Sequence, residues 1–146
     1  DGEWRECFLA EIEGQYDPSR VHFTGTLPYD QFVPLLQLSA CHVYLTYPFV
    51  MSWSLLEAMA CGCAVVGSDT APVREPIRHG HNGLLVDFFS PADLAAAVAE
   101  LLQDRERAAA FGQAARRTVE RTYDLDACVT RQLALMDLVA SGSIRG

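Results

Sequence analysis

A single carboxylate inside an otherwise apolar helical segment is the part of the sequence best suited to chemistry. Glu57 follows Ser54-Leu-Leu and precedes Ala-Met-Ala-Cys-Gly62, after which residues 64–66 are apolar. This pattern predicts a short helix that begins near Ser54 and stops at Gly62, followed by a buried strand. The amino end of a helix beside the carboxyl ends of strands is where open α/β sheets bind phosphate-bearing ligands. The segment therefore indicates a nucleotide site.

Glu57 also has a purely structural explanation. If Ser54 is the N-cap, Glu57 falls at the N3 position and completes a Ser-x-x-Glu capping box. A carboxylate has two oxygens, so it could cap the helix and still accept hydrogen bonds from vicinal hydroxyls of a ligand. Both interpretations of Glu57 stay open at this point.

Apolar periodicity divides the chain into alternating helices and strands that could position this site. Helices are predicted at residues 3–12, at 29–38, from Ser54 to Gly62, and at 91–103, 105–121 and 125–140. Strands are predicted at residues 21–24, 42–45, 64–66 and 83–86. Short connections between alternating elements predict an α/β fold with a Rossmann-like, doubly wound parallel sheet and C-terminal helices. Such sheets commonly have about five or six strands, so the sheet is expected to lack its first strands.

The composition of the chain argues against two classes of function, nucleic-acid binding and metal binding. The chain has 146 residues, which fits a single domain, and a net charge of −8 from 11 basic and 19 acidic residues. An acidic chain is poorly suited to nucleic acid, because that binding rests on Lys and Arg facing phosphates. The five cysteines are scattered without zinc-ligand spacing, which favours small buried thiols in a reducing, cytoplasmic setting and no metal.

Four motifs in one order resemble a known family. They are the Gly25-Thr-Leu-Pro28 turn after residues 21–24, the Glu57 segment through Gly62, the pair Arg74-Glu75, and Gly80-His-Asn-Gly-Leu-Leu-Val86. Together they resemble the C-terminal domain of GT-B glycosyltransferases, specifically the large retaining group of the "glycosyl transferases group 1" type. The similarity runs over residues 21–133.

The resemblance implies a function for residues 1–146 as a single donor-binding domain. In that family this domain binds a nucleotide diphosphate sugar without a metal cofactor, and a preceding N-terminal domain binds the acceptor. Glu57 takes the place of the second glutamate of a Glu-x7-Glu motif, which binds the ribose hydroxyls. Backbone amides around Ser52, Trp53 and Ser54 would face the diphosphate, and the backbone near Thr26 and Leu27 would meet the base.

Two adjacent features depart from the family pattern: Phe49, and the segment Val50-Met51-Ser52 in place of the family's Gly-Phe-Gly. Phe49 stands where the first glutamate of that motif would contact the donor sugar, so the resemblance implies an altered recognition of the sugar or an altered catalytic geometry. The Arg and Lys that neutralise the diphosphate in the family belong to a first β-α unit that this sequence does not contain. The isolated chain is therefore expected to bind donor weakly.

The sequence is also compatible with other functions, and it suggests further partners. A non-catalytic nucleotide-binding or interaction domain would explain Phe49 as a lost sugar site. A response-regulator domain is disfavoured because no acidic cluster follows the predicted strands, and an oxidoreductase because no G-x-G-x-x-G occurs. Arg74-Glu75 could brace a loop or approach phosphates. A homodimer through an exposed sheet edge, and peripheral membrane association of the full-length enzyme, are further expectations.

Overall fold

A three-stranded parallel sheet forms the centre of the fold. The computed structural model describes residues 2–46 and 50–142. The strands are β1 (His42–Tyr44), β2 (Val65–Ser68) and β3 (Leu84–Val86), and their spatial order is β1-β2-β3. Both pairings are parallel, with His42 opposite Val65 and Val66 opposite Leu84. The α/β class and the parallel sheet predicted from the sequence are confirmed.

Helices connect the strands and complete the C-terminal part. They are α1 (Gly2–Glu11), α2 (Tyr29–Leu38), α3 (Trp53–Ala60), α4 (Ala71–Arg74), α5 (Pro91–Gln103), α6 (Arg105–Thr122) and α7 (Leu125–Ala140), with a 3₁₀ turn at Pro18–Arg20. No helix in the described part of the chain is long and apolar enough to cross a bilayer.

The core lies on both faces of β2, which is buried at every position. Successive strand residues point to opposite faces, so Val65 and Val66 belong to different clusters. Val65 packs with Leu55 and Met59 of α3, and Val66 packs with Leu101 of α5. Helices therefore cover both faces of the sheet, as expected of a doubly wound arrangement.

The end of α3 follows the predicted glycine stop. Gly62 has a φ of 78°, a left-handed conformation that glycine adopts without a steric penalty. The Gly62 amide donates to the Met59 carbonyl, and the Cys63 amide donates to the Ala58 carbonyl, both at 3.0 Å. These two bonds form a Schellman motif, which ends the helix and directs the chain into β2.

The prediction of a strand at residues 21–24 is wrong. These residues are extended in part but form no ladder with β1 or with any other described strand. Val21 and Phe23 are exposed, and β1 remains an edge strand whose Val43 is also exposed. Alternating apolar residues become a strand only when a neighbour accepts and donates the backbone hydrogen bonds. The described residues therefore form a sheet of three strands where about four were expected.

Candidate functional site

The carboxyl edge of the sheet gathers the loops that could bind a ligand. Parallel strands all end at the same edge, so the residues after β1, β2 and β3 lie side by side there. The connection from β1 leads into α3, which places the amino end of that helix at the same edge. This is the position at which open α/β sheets bind ligands.

Ser52, rather than Ser54, caps α3. The Ser52 backbone is extended (φ −81°, ψ 151°), and its hydroxyl accepts from the Ser54 amide at 3.3 Å. The two serine hydroxyls also lie 3.0 Å apart. The sequence offers both serines as caps, and the earlier one is used because it alone lies outside the helical backbone. The N3 position is then Leu55, so the capping-box interpretation of Glu57, one of the two that the sequence leaves open, is wrong.

The Glu57 carboxylate has no hydrogen-bond or ion-pair partner among the described residues. It is half-buried on the second turn of α3. None of the described side chains or amides donates a hydrogen bond to it, and no described cation pairs with it. Its negative charge adds to burial in raising the pKa of the nearby Cys61 thiol. Glu57 can therefore accept hydrogen bonds from a ligand.

Trp53 stands on the same side of α3 as Glu57, since residues four apart are neighbours on a helix surface. Its side chain is 85% exposed. A groove of about 520 Å³ opens beside it, and its lining is mostly apolar; the lining residues are Met51, Ser52, Trp53, Leu56, Tyr123, Leu125 and Cys128. The amino end of α3 thus meets solvent, with an apolar wall on one side.

Thr26 and Leu27 lie in the segment before α2. Gly25 turns the chain there with a φ of 62°, Thr26 is exposed, and Leu27 is half-buried. Because α2 packs against α3 and leads directly into β1, its amino end points towards the carboxyl edge of the sheet. Phe49 falls outside the described residues.

Three side-chain contacts at this edge join residues of different elements, and one of them is made by Arg74 of the Arg74-Glu75 motif. Arg74 forms a two-pronged pair with Asp69, at 2.6 Å and 2.8 Å, which lowers the pKa of that carboxyl. The Tyr44 hydroxyl accepts from the Ser52 amide, and the Ser68 hydroxyl is bonded to both backbone groups of Thr46. Arg74 thus braces the loop after β2. Spacing alone could not reveal these contacts, since each joins separate elements.

The neighbouring Glu75 is engaged in a different contact. The Tyr123 hydroxyl donates to Glu75 at 3.1 Å, and burial together with this carboxylate raises the pKa of Tyr123 to about 12. This bond ties the residue after α4 to the end of α6. The two members of the Arg74-Glu75 motif therefore hold different elements.

Titratable groups elsewhere are not arranged as a metal centre. Within residues 2–46 and 50–142, no group of three or more His, Cys, Asp or Glu side chains converges. His79 Nδ1 accepts from the Leu85 amide at 3.0 Å, which ties it to β3. Burial lowers the pKa of His42, in keeping with its position in β1.

The chain is similar in sequence and in fold to known proteins. The profile of the family described as "Glycosyl transferases group 1" matches residues 1–118. N-acetyl-alpha-D-glucosaminyl L-malate synthase of Bacillus anthracis is 30% identical over 131 residues, which is 90% of this chain and 34% of that protein. The chain spans about a third of the length of the curated relatives it matches.

Solved structures give the same picture of the fold. Sucrose-phosphate synthase from Thermosynechococcus elongatus superposes with a TM-score of 0.83 at 22% identity, over 96% of this chain and 35% of that one. Anabaena HepE, solved in complex with UDP-glucose, superposes with a TM-score of 0.77 at 22% identity, over 97% of this chain and 38% of that one. The profile match covers most of the chain, and so the protein belongs to the glycosyl transferases group 1 family.

Proposed function

We propose that this chain is the donor-binding domain of a retaining glycosyltransferase that uses a nucleotide diphosphate sugar and no metal. One observation carries the proposal: the Glu57 carboxylate is half-buried on the second turn of α3 and has no partner among the described residues. A carboxylate with free oxygens suits two adjacent ribose hydroxyls, because it accepts from both through charge-assisted bonds.

Sugar transfer also requires that the domain stabilise the diphosphate that leaves the donor. Amides at the amino end of a helix and the helix dipole favour an anion there, by about 1 kcal/mol or somewhat more. The exposed Ser52 and Trp53 leave this end of α3 open to a ligand. Stabilising a leaving diphosphate requires basic side chains as well. In this proposal an upstream part of a longer protein supplies them, together with the acceptor-binding N-terminal domain.

Relatives of the same fold support a nucleotide sugar as the substrate class. HepE of Anabaena, which shares this fold at 22% identity, was solved in complex with UDP-glucose. We therefore propose a nucleotide diphosphate sugar as the donor, without specifying its base or its sugar. The proposal also includes a cytoplasmic location, a homodimer through the exposed β1 edge of the sheet, and peripheral membrane association of the full-length enzyme.

Titration of the full-length protein with nucleoside diphosphates tests the proposal. UDP and GDP are offered separately in a calorimeter, with and without EDTA, and one of them should bind equally well in both conditions. The matching nucleotide sugar is then incubated with the protein, and the anomeric proton of the first released or transferred sugar is followed by NMR. Retention of the donor configuration is expected, and inversion would contradict the proposed mechanism.

A non-catalytic domain is the second candidate, and Phe49 favours it. A phenylalanine cannot accept hydrogen bonds from sugar hydroxyls, so a protein that keeps only nucleotide binding would show this substitution. The same titration separates the two candidates. Nucleoside diphosphate binding without any turnover of its sugar conjugates, across donors and acceptors, would favour the non-catalytic domain.

A further inference from the structure

Two side chains from neighbouring strands hold the backbone on either side of the β1–α3 connection. The first is Ser68, which ends β2 and is fully buried. Its hydroxyl accepts from the Thr46 amide at 3.0 Å and donates to the Thr46 carbonyl at 2.8 Å. Thr46 lies beyond the last ladder position of β1, so Ser68 fixes the backbone where the regular pairing has ended.

The second side chain is Tyr44, the last residue of β1. It is 8% exposed, and its hydroxyl accepts from the Ser52 amide at 2.9 Å. Ser52 is in turn the N-cap of α3. Tyr44 lies opposite Gly67, which precedes Ser68, so the two anchoring side chains occupy adjacent positions at the carboxyl edge.

The bond from Tyr44 contributes more to geometry than to stability. Ser52 is exposed, so water can take over the amide if the tyrosine hydroxyl is removed. The buried ring would stay in the core, because phenylalanine has nearly the same shape. What would be lost is the fixed direction of the backbone that enters α3. Preorganised amides bind an anion better than amides that must first be ordered.

We propose that Tyr44 and Ser68 are positioning residues that orient the amino end of α3 towards the donor diphosphate. This inference rests on the proposed function, since it concerns the same site. Neither side chain needs to touch the ligand. Tyr44 acts through the Ser52 amide, and Ser68 acts through the backbone of Thr46. The proposal predicts that their effect is confined to the phosphate part of the donor.

Removal of the tyrosine hydroxyl tests the inference. Tyr44→Phe in the full-length protein is titrated with UDP or GDP, whichever binds the wild type, with inorganic pyrophosphate and with the corresponding nucleoside. We expect the dissociation constants of the nucleoside diphosphate and of pyrophosphate to rise roughly three- to tenfold, the size of one lost hydrogen bond. The dissociation constant of the nucleoside and the melting temperature should be nearly unchanged.

Matched variants separate positioning from general loosening. Tyr16→Phe removes a hydroxyl for which no described residue is a hydrogen-bond partner. Ser39→Ala removes a serine hydroxyl bonded to the Leu35 carbonyl after α2, away from the start of α3. Neither should alter pyrophosphate binding. Ser68→Ala should weaken pyrophosphate binding as Tyr44→Phe does, with an added loss of stability because half-buried backbone groups of Thr46 lose their partner.

The results of these titrations distinguish a failure of the inference from a failure of the proposed function. Unchanged pyrophosphate affinity in Tyr44→Phe would overturn the inference while leaving the proposed function intact. An equal loss for the nucleoside, or an equal loss in the Tyr16→Phe and Ser39→Ala controls, would show a general effect on the fold and would also overturn it. Failure of the wild-type protein to bind either nucleoside diphosphate would contradict the proposed function, and this inference with it.

Discussion

Gly112 of α6 lies directly against the carbonyl oxygen of Gly62, the residue that ends α3. A Cβ atom at position 112 would come 2.0 Å from that oxygen and 2.9 Å from the carbonyl carbon, both backbone atoms. The two helices can approach this closely only because Gly112 has no side chain. Since Gly62 ends the helix that carries Glu57, this contact also fixes the position of the candidate site.

Replacing Gly112 by alanine should strongly destabilise the protein. The added methyl group overlaps backbone that cannot rotate away, so α6 must move off α3, and we expect a loss of about 2–3 kcal/mol or more. Chemical denaturation followed by circular dichroism measures this. Gln113→Ala, at the next and exposed position of α6, is the control and should change stability by less than about 0.5 kcal/mol. Equal stability of both variants would contradict the packing at Gly62.

Replacing Glu57 by glutamine should weaken nucleotide binding with little effect on stability. The carboxylate has no described partner in the protein, so its charge is available to ribose hydroxyls. Loss of charge-assisted bonds is worth about 1.5–3 kcal/mol, or roughly ten- to a hundredfold in affinity. Calorimetric titration of the full-length protein with a nucleoside diphosphate measures it. Glu106→Gln, on the exposed first turn of α6, is the control, and wild-type affinity in Glu57→Gln would exclude ribose recognition by this residue.

Phe49 should make donor binding depend on the nucleotide more than on the sugar. Its ring can cover an apolar sugar face but accepts no hydrogen bonds from sugar hydroxyls. A nucleoside diphosphate and its sugar conjugate should therefore bind the full-length protein with affinities within about tenfold, or about 1.4 kcal/mol. A larger gain from the sugar would mean that other residues recognise it. Restored activity in Phe49→Glu would instead identify a degenerate site.

The Asp69–Arg74 pair should be visible in the titration of the carboxyl group. The guanidinium hydrogen bonds hold the pKa of Asp69 below its usual range. A lowered folded-state pKa contributes stability above the pKa of the unfolded chain, and this contribution is lost as pH falls through the folded-state value. Carboxyl-carbon NMR should show a higher Asp69 pKa in Arg74→Ala, and the stability difference between the two proteins should vanish in acid. An unchanged pKa would show that the pair does not form in solution.

The cysteines should differ sharply in reactivity. Burial raises the pKa of Cys63 to about 11, with smaller contributions from Cys61 and Cys41, and its thiol donates to the Leu36 carbonyl. Cys7 is exposed on α1, which corrects the expectation that all five thiols are buried. Because the thiolate is the reactive form, iodoacetamide at neutral pH should label Cys7 first and Cys63 last. Peptide mass spectrometry gives the order, and early labelling of Cys63 would contradict its burial.

The sequence predicts where the helices lie, but it does not predict at which residue α3 begins. The periodicity of residues 91–103 and the cap at Ser90 predicted α5, because local hydrogen bonds and one apolar face determine a helix. The choice between Ser52 and Ser54 could not be made in the same way. Both serines can cap a helix, and the Tyr44 hydroxyl, which holds the Ser52 amide, comes from a different element.

The strand error has a similar cause. Residues 21–24 alternate as a strand should, yet pairing depends on what lies beside them in space, which a local pattern does not contain. The position of Glu57 on α3 was predicted correctly, whereas its freedom from a capping bond had to come from the structure. Its role in binding ribose remains a prediction.

The order of the strands has a consequence for how the protein folds. Each strand pairs with the next one along the chain, β1 with β2 and β2 with β3. Among the described strands each pairing closes only one crossover, so the entropy lost in closing each loop is modest. Parallel strands joined by a helix are nevertheless distant along the chain, as His42 and Val65 are, and such pairing forms more slowly than a hairpin. The strands can still pair in the order in which they are synthesised. The central strand β2 pairs first with β1 and then with β3.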